Sequence, residues 1–160
     1  MHIRIAQENE CAQIEGVFQN AFGPFRPHYN QSSYDHTVVD QTEILRRMRE
    51  GVTWVAMEDG KVHGTVSIAF KKDWLYITGM AVNTTLQGKK IGYRLLVAIE
   101  DYARKNGHQQ MWLGTTRFLP RAIALYKAFG FKYIEGGDFV WYGTNGIRFE
   151  KVLTSMAAAN

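Results

Sequence analysis

The chain has 160 residues, of which 46% are hydrophobic and 21% are charged. These proportions are those of an ordinary globular protein, and the length predicts one domain that can bury a core of its own. The net charge of +4 favours acidic ligands such as phosphates but does not identify a fold. Because Cys11 is the one cysteine, an intrachain disulfide is excluded.

The N-terminal segment MHIRIAQENE lacks the apolar core of a signal peptide, and no run approaches the roughly 20 apolar residues that a membrane-spanning helix needs. We therefore expect a cytoplasmic protein that does not bind membranes. The predicted domain covers residues 1–153, and the tail 154–160 is expected to be frayed. The five histidines are scattered without metal-ligand spacing, so no metal site is predicted.

The first third of the chain predicts one strand and two helices. The alternating stretch HIRIAQ is typical of a strand over 2–7, and a helix over about 10–22 follows it. The segment 23–36 contains two prolines and several turn-forming residues and predicts a long ordered loop. A second helix is expected over about 38–50. Its polar face is expected to carry four charged residues, namely Arg46, Arg47, Arg49 and Glu50.

The middle of the chain predicts three strands and then a helix. The stretches TWVAME (53–58) and KVHGTVSIAF (61–70) are separated by Asp59-Gly60, which is a strong hairpin signal. The stretch WLYITGMAV (74–82) is the next predicted strand. It is followed by LQGKKIG and by an amphipathic helix over about 92–105.

The last part predicts a strand over 109–116, then a helix that Pro120 begins and Gly130 ends. KYIEG and FVWYG are expected to be strands, 144–146 a turn, and IRFEKVL the last strand. This order predicts an α/β (α+β) fold, with a single mixed, mostly antiparallel sheet and helices on both faces.

The joint LQGKKIG, residues 86–92, allows two interpretations. It can be an ordinary basic turn, or it can bind an anion through the free N–H groups and the positive dipole end of the following helix. Gly88 and Gly92 would leave room for a phosphate, while Lys89, Lys90 and Arg94 would add positive charge. The joint fits neither the dinucleotide-binding glycine pattern nor the P-loop pattern. From the residues alone the two interpretations remain equally weighted.

The segment TGMAVNTTLQGKKIGYRLLVAIEDYARKNG, with LGTTRFLPRAIALYKAFGF after it, resembles the GNAT superfamily of acyl-CoA-dependent N-acyltransferases. The family signature is Gln or Arg, two free positions, Gly, one free position, then Gly or Ala. Gln87 matches its first position and Gly92 its last. Lys90 stands where the family usually has Gly, and we expect its backbone to adapt while its side chain points to solvent or phosphate.

The resemblance implies acetyl-CoA as co-substrate. Its pyrophosphate is expected on the N–H groups of residues 88–92, and its pantetheine arm beside the backbone of 80–82, in the manner of an added strand. A bulge at Gly79 would separate this strand from the next and open a cleft. The predicted cofactor-binding residues are Met80, Ala81, Val82, Gln87, Gly88, Lys89, Lys90, Ile91 and Gly92.

The resemblance also implies a catalytic role for Tyr126, as the acid that protonates the departing thiolate. Its helical spacing alone favours core packing. Many family members have an Asn seven residues earlier, where this chain has Leu119, so no cofactor contact is predicted there. The general base is left unassigned. Its candidates are Glu58, Asp73, Asp35 and a water chain that ends at Tyr76 or Thr78.

The predicted function is an N-acetyltransferase that moves the acetyl group of acetyl-CoA to a primary amine of a small molecule or amino acid, by direct transfer in a ternary complex. Protein N-terminal or lysine acetylation and non-catalytic acyl-CoA binding remain alternatives, and a homodimer is left open. Nucleic acid is not an expected partner, because no run of basic and aromatic residues typical of RNA binding occurs. Acceptor specificity is assigned to segments 23–36 and 138–147. Their rings are Phe25, Tyr29, Tyr34, Phe139, Trp141 and Tyr142.

Overall fold

The computed structural model describes residues 1–72 and 74–153. The predicted tail 154–160 and the candidate base Asp73 lie outside the described residues. The described strands are β1 His2–Ile5, β2 Val52–Glu58, β3 Lys61–Lys71, β4 Trp74–Val82, β5 Gln110–Thr115, β6 Lys132–Tyr133, β7 Phe139–Trp141 and β8 Thr144–Val152. The described helices are α1 Cys11–Phe22, α2 Gln31–Thr37, α3 Gln41–Glu50, α4 Ile91–Lys105 and α5 Pro120–Phe129.

The strands form one sheet in the order β1-β2-β3-β4-β5-β8-β6, and β7 pairs with β8. Strands β4 and β5 pair in parallel, while the other described pairs are antiparallel. Helix α4 connects β4 to β5, because a parallel pair needs a crossover connection. The predicted fold class, a mixed and mostly antiparallel sheet with helices, is confirmed.

Strand β2 shows how the sheet divides the core into two layers. Trp54 and Ala56 are buried in a cluster that includes residues of α4 and α5. Val55 and Met57, which alternate with them, are buried in a second cluster with residues of α1 and α3. Because successive side chains of a strand point to opposite faces, helices cover both faces of the sheet, as predicted.

The predicted long loop over 23–36 is wrong. Gly23–His28 forms 3-10 turns, and α2 follows. Helix α2 begins with a capping box, which was not predicted from the sequence. The Asn30 side chain accepts a hydrogen bond from the Ser33 backbone N–H, and the Ser33 hydroxyl lies 3.2 Å from the Asn30 backbone nitrogen. Such a box satisfies two backbone donors and fixes the start of a helix.

Two other boundaries differ from the prediction. The residues expected to form a turn at 144–146 belong to β8, and Trp141 pairs with Thr144. The turn lies instead at Tyr142 and Gly143, whose φ values are +46° and +87°. Helix α3 begins at Gln41 rather than near residue 38, because the Asp40 side chain accepts a hydrogen bond from the Glu43 N–H at 3.0 Å and caps the helix there.

Candidate functional site

A cleft opens where β4 and β5 separate. The parallel pairing ends at Ile77 and Leu113, although β4 continues to Val82. Gly79 has a φ of +62°, and the β3–β4 register shifts around it, so the expected bulge is present. The separation leaves the end of β4 without a partner strand on the side of β5, and a cavity of about 560 Å³ lies there.

The joint that precedes α4 forms one end of this cavity. Lys90 is the residue before the helix, with φ +63° and ψ +18°, and no side chain caps the first turn. This left-handed conformation is one that glycine adopts most easily. Gly88 also has a positive φ, of +88°. Of the predicted cofactor-binding residues, all except Lys89 line the cavity.

Three further features of this end bear on anion binding. The uncapped start of α4 carries free N–H groups and the positive end of the helix dipole. The Arg121 guanidinium, which the sequence prediction omitted, lines the cavity beside Gly88. The Gln87 side chain lies 3.4 Å from the Val82 carbonyl oxygen, to which it donates a weak hydrogen bond. These residues therefore fit a diphosphate.

Tyr126 lies on α5, is 7% exposed and lines the same cavity. Its ring packs 6.0 Å from Phe131 and 6.5 Å from Phe149, measured between centroids. Burial raises the pKa of the Tyr126 hydroxyl above its usual range, and the nearby Tyr76 adds to this. The phenol therefore keeps its proton at neutral pH. Leu119, which precedes α5, also lines the cavity.

The other end of the cavity is aromatic. Four of the six rings predicted to set acceptor specificity line it, namely Phe25, Tyr29, Phe139 and Trp141. The other two rings do not line the cavity but contact rings that do. The Tyr34 ring lies 5.9 Å from the Tyr29 ring, and the Tyr142 ring lies 4.8 Å from the Trp141 ring, measured between centroids. Burial raises the pKa of Tyr29 to about 12, against the opposing effect of the Thr37 and Thr116 hydroxyls.

Two of the carboxylates considered as general base, Glu58 and Asp35, do not line the cavity. Glu58 is paired with the N-terminal amine of Met1 at 3.2 Å, and Asp35 accepts a hydrogen bond from Gln31. Tyr76 and Thr78, the proposed ends of a water chain, do line the cavity. His36 lines it as well, and its Nδ1 lies 2.7 Å from the Ser32 carbonyl oxygen.

Arg47 was predicted on the solvent face of its helix, and this placement is wrong. Its side chain is 13% exposed and lines the cavity, while Nε donates to the Glu43 carboxylate at 3.3 Å. The sequence did hold a signal for this. Arg47 follows the buried Ile44 by three residues, so it occupies the core-facing stripe of an amphipathic helix.

Among residues 1–72 and 74–153, no group of three or more metal-ligating side chains comes together. Within the same residues, no helix is both long and apolar enough to cross a bilayer.

The sequence and the fold both resemble known proteins. A model of the acetyltransferase (GNAT) family matches residues 12–131. The uncharacterized N-acetyltransferase YhfO of Bacillus subtilis is 28% identical over 152 residues, which cover 91% of this chain and 97% of that protein. The uncharacterized N-acetyltransferase YjgM of Escherichia coli is 33% identical over 86 residues, 51% of this chain and 52% of that one. For two further curated relatives the match spans only 37% and 36% of their length.

Among solved structures, the PaiA N-acetyltransferase of Thermoplasma acidophilum, determined in complex with coenzyme A, superimposes with a TM-score of 0.81 at 16% sequence identity. The superposition covers 96% of this chain and 100% of that chain. At this identity the likeness concerns the fold alone.

Proposed function

Because the chain belongs to the acetyltransferase (GNAT) family, we propose that it transfers the acetyl group of acetyl-CoA to a primary amine of a small molecule or amino acid, by direct transfer in a ternary complex. One observation carries the proposal. The unpaired end of β4, the uncapped start of α4 and the Tyr126 side chain all line a single cavity. An extended thioester and an amine could therefore meet within it.

The cofactor-binding part of the proposal assigns the diphosphate to the backbone N–H groups of 88–92, with Lys90 and Arg121 adding charge. Lys89, which does not line the cavity, would contribute only from the outside. The backbone of Met80, Ala81 and Val82 would pair with the pantetheine amides. That pairing would supply the hydrogen bonds that β5 gives to the first half of β4.

Bound acetyl-CoA would supply a thioester, whose carbonyl carbon bonds to the amine nitrogen while the carbon–sulfur bond breaks and its electron pair stays on sulfur. Tyr126 would give its hydroxyl proton to that sulfur, and the proton that the amine loses would return through His36 and solvent to the Tyr126 oxygen, so that an amide and a free thiol result. Burial of Tyr126 raises the pKa of its hydroxyl, so the phenol is protonated at neutral pH and has a proton to give. His36 would accept the amine proton through Nε2, since Nδ1–H donates to Ser32.

Thiol release from acetyl-CoA in the presence of a panel of amines tests the proposal. Tyr126→Phe should lower kcat by about 100-fold or more, the usual size of a general-acid effect, and should leave the Kd for coenzyme A nearly unchanged. Tyr102→Phe is the matched control, because Tyr102 lies on α4 and packs against Trp54 away from the cavity. If the protein binds acetyl-CoA but releases no thiol from it with any amine tested, it is a non-catalytic acyl-CoA-binding protein.

A further inference from the structure

Arg47 holds a buried positive charge that the described protein groups only partly neutralise. Its Nε bonds to Glu43 at 3.3 Å, but Nη1 is fully buried and has no hydrogen-bond partner among the described residues. Glu43 is shared, since it also pairs with Arg46. Burial lowers the pKa of Arg47, and the Glu43 carboxylate opposes that effect. A guanidinium nevertheless stays charged in proteins, and burying it without a partner is costly.

The guanidinium lies against the bulge of β4. A Cβ placed on Gly79 would be 2.4 Å from Arg47 Nη1 and 3.1 Å from the Phe18 ring, so only a glycine allows this approach. Tyr76, on the same strand, is close enough for the Arg47 charge to lower its pKa against the larger effect of burial. Arg47 therefore lies where β4 and β5 separate, next to the proposed position of the thioester.

The charges along the cavity are unbalanced. Three cationic side chains line it, namely Arg47, Lys90 and Arg121, and no Asp or Glu of the described residues does. Lys90 and Arg121 lie beside the glycine-rich joint, where a diphosphate would neutralise them. Arg47 lies at the bulge instead, where it and the Phe18 ring both approach Gly79. An ammonium ion entering this end would meet a positive charge and no carboxylate.

We propose that the acceptor is an amine that also carries a carboxylate, an amino acid with an apolar side chain, and that Arg47 binds this carboxylate. The inference rests on the proposed acetyltransferase function and specifies its substrate. The planar guanidinium can form two parallel hydrogen bonds to a carboxylate. The apolar side chain of the acceptor would contact the rings of Phe25 and Trp141. Pairing with Arg47 would hold the amine beside the bulge of β4.

Matched acceptors test this without any mutation. L-phenylalanine is compared with L-phenylalaninamide, and L-leucine with L-leucinamide, with rates expressed per concentration of free amine. We expect kcat/KM for each acid to exceed that for its amide by about 10-fold or more, since a charge-assisted hydrogen bond contributes that much. Equal values, or a preference for the amides, would overturn the inference while the acetyltransferase activity stands. Absence of thiol release with every amine would instead refute the proposed function.

Two variants locate the effect. Arg47→Gln should lower kcat/KM for the acids by about 10- to 100-fold, mainly through KM, and should change the amides by less than about 3-fold. Arg47→Lys, which keeps the charge but not the two parallel bonds, should retain part of the preference. Arg49→Gln is the control, because Arg49 is on the same helix, is 62% exposed, pairs with Glu8 rather than with Glu43 and does not line the cavity.

An unchanged Kd for coenzyme A in Arg47→Gln would show that its cavity is intact. With that condition met, equal losses for acids and amides would overturn the inference, because they would mean that Arg47 acts on the thioester or on the fold. If Arg47→Gln fails to fold, Arg47→Lys and the matched acceptors decide the matter.

Discussion

Replacing Lys90 by glycine should make the protein more stable and its binding of coenzyme A weaker. Lys90 has a φ of +63° and a ψ of +18°, and the left-handed conformation costs an L-residue about 1–2 kcal/mol. Glycine removes this cost but adds about 0.4–1 kcal/mol of conformational entropy to the unfolded chain. The net gain in the free energy of unfolding should be about 0.8 kcal/mol, within a range of roughly 0–1.6 kcal/mol, which raises Tm by about 2–3 °C in a chain of this size.

Lys90→Ala separates the backbone effect from the charge effect, since alanine keeps the strained conformation and removes the ammonium group. Both variants should bind coenzyme A about two- to fivefold more weakly, the range for an exposed ion pair, whereas Lys89→Ala should change the affinity less. Urea denaturation gives the stabilities and titration calorimetry the Kd values. If Lys90→Gly is no more stable than Lys90→Ala, the strain argument fails. If neither variant weakens binding, Lys90 does not contact the phosphates.

Two other predictions concern the cavity wall. Gly79→Ala should lower the free energy of unfolding by about 1–3 kcal/mol, because alanine would have to adopt a φ of +62° and would displace Arg47. It should also reduce any preference for amino acids over their amides. Unchanged stability in urea denaturation would contradict this prediction. Because the pKa of Tyr29 is raised to about 12, its burial stabilises the fold below the unfolded pKa of about 10, and this contribution is lost as pH rises toward 12. Stability measured from pH 8 to 12 should therefore fall less steeply in Tyr29→Phe than in the wild type, and parallel curves would show that Tyr29 ionises as freely as in the unfolded chain.

The sheet was predictable because its strands carry strong local signals. The Asp59-Gly60 hairpin and the glycine within β4 both follow from the chemistry of neighbouring residues, and both match the structure. The two errors of chain path, α2 and the turn at Tyr142, arose where signals compete. The two prolines suggested a loop where the Asn30 capping box begins a helix. The glycine at 146 suggested a turn that the structure places at the glycine at 143.

The candidate site was harder to predict, because it depends on which side chains meet across the sheet. The joint before α4 is local in sequence, so its glycines and lysines could be recognised. Arg47 could not be placed in the same way, since charged helical residues usually face solvent and its burial depends on Gly79, which lies on a distant strand. Arg121 shares this difficulty, because only the packing of α5 brings it beside Gly88.

The early end of the β4–β5 pairing also affects how the protein avoids aggregation. Exposed strand edges can recruit strands from other molecules, and here both terminal strands of the sheet are short, with four residues in β1 and two in β6. The longer unpaired edge, at the end of β4, lies within the cleft rather than at the edge of the sheet. The fold thus keeps main-chain donors and acceptors available to a narrow, extended ligand while offering little edge to a neighbouring polypeptide.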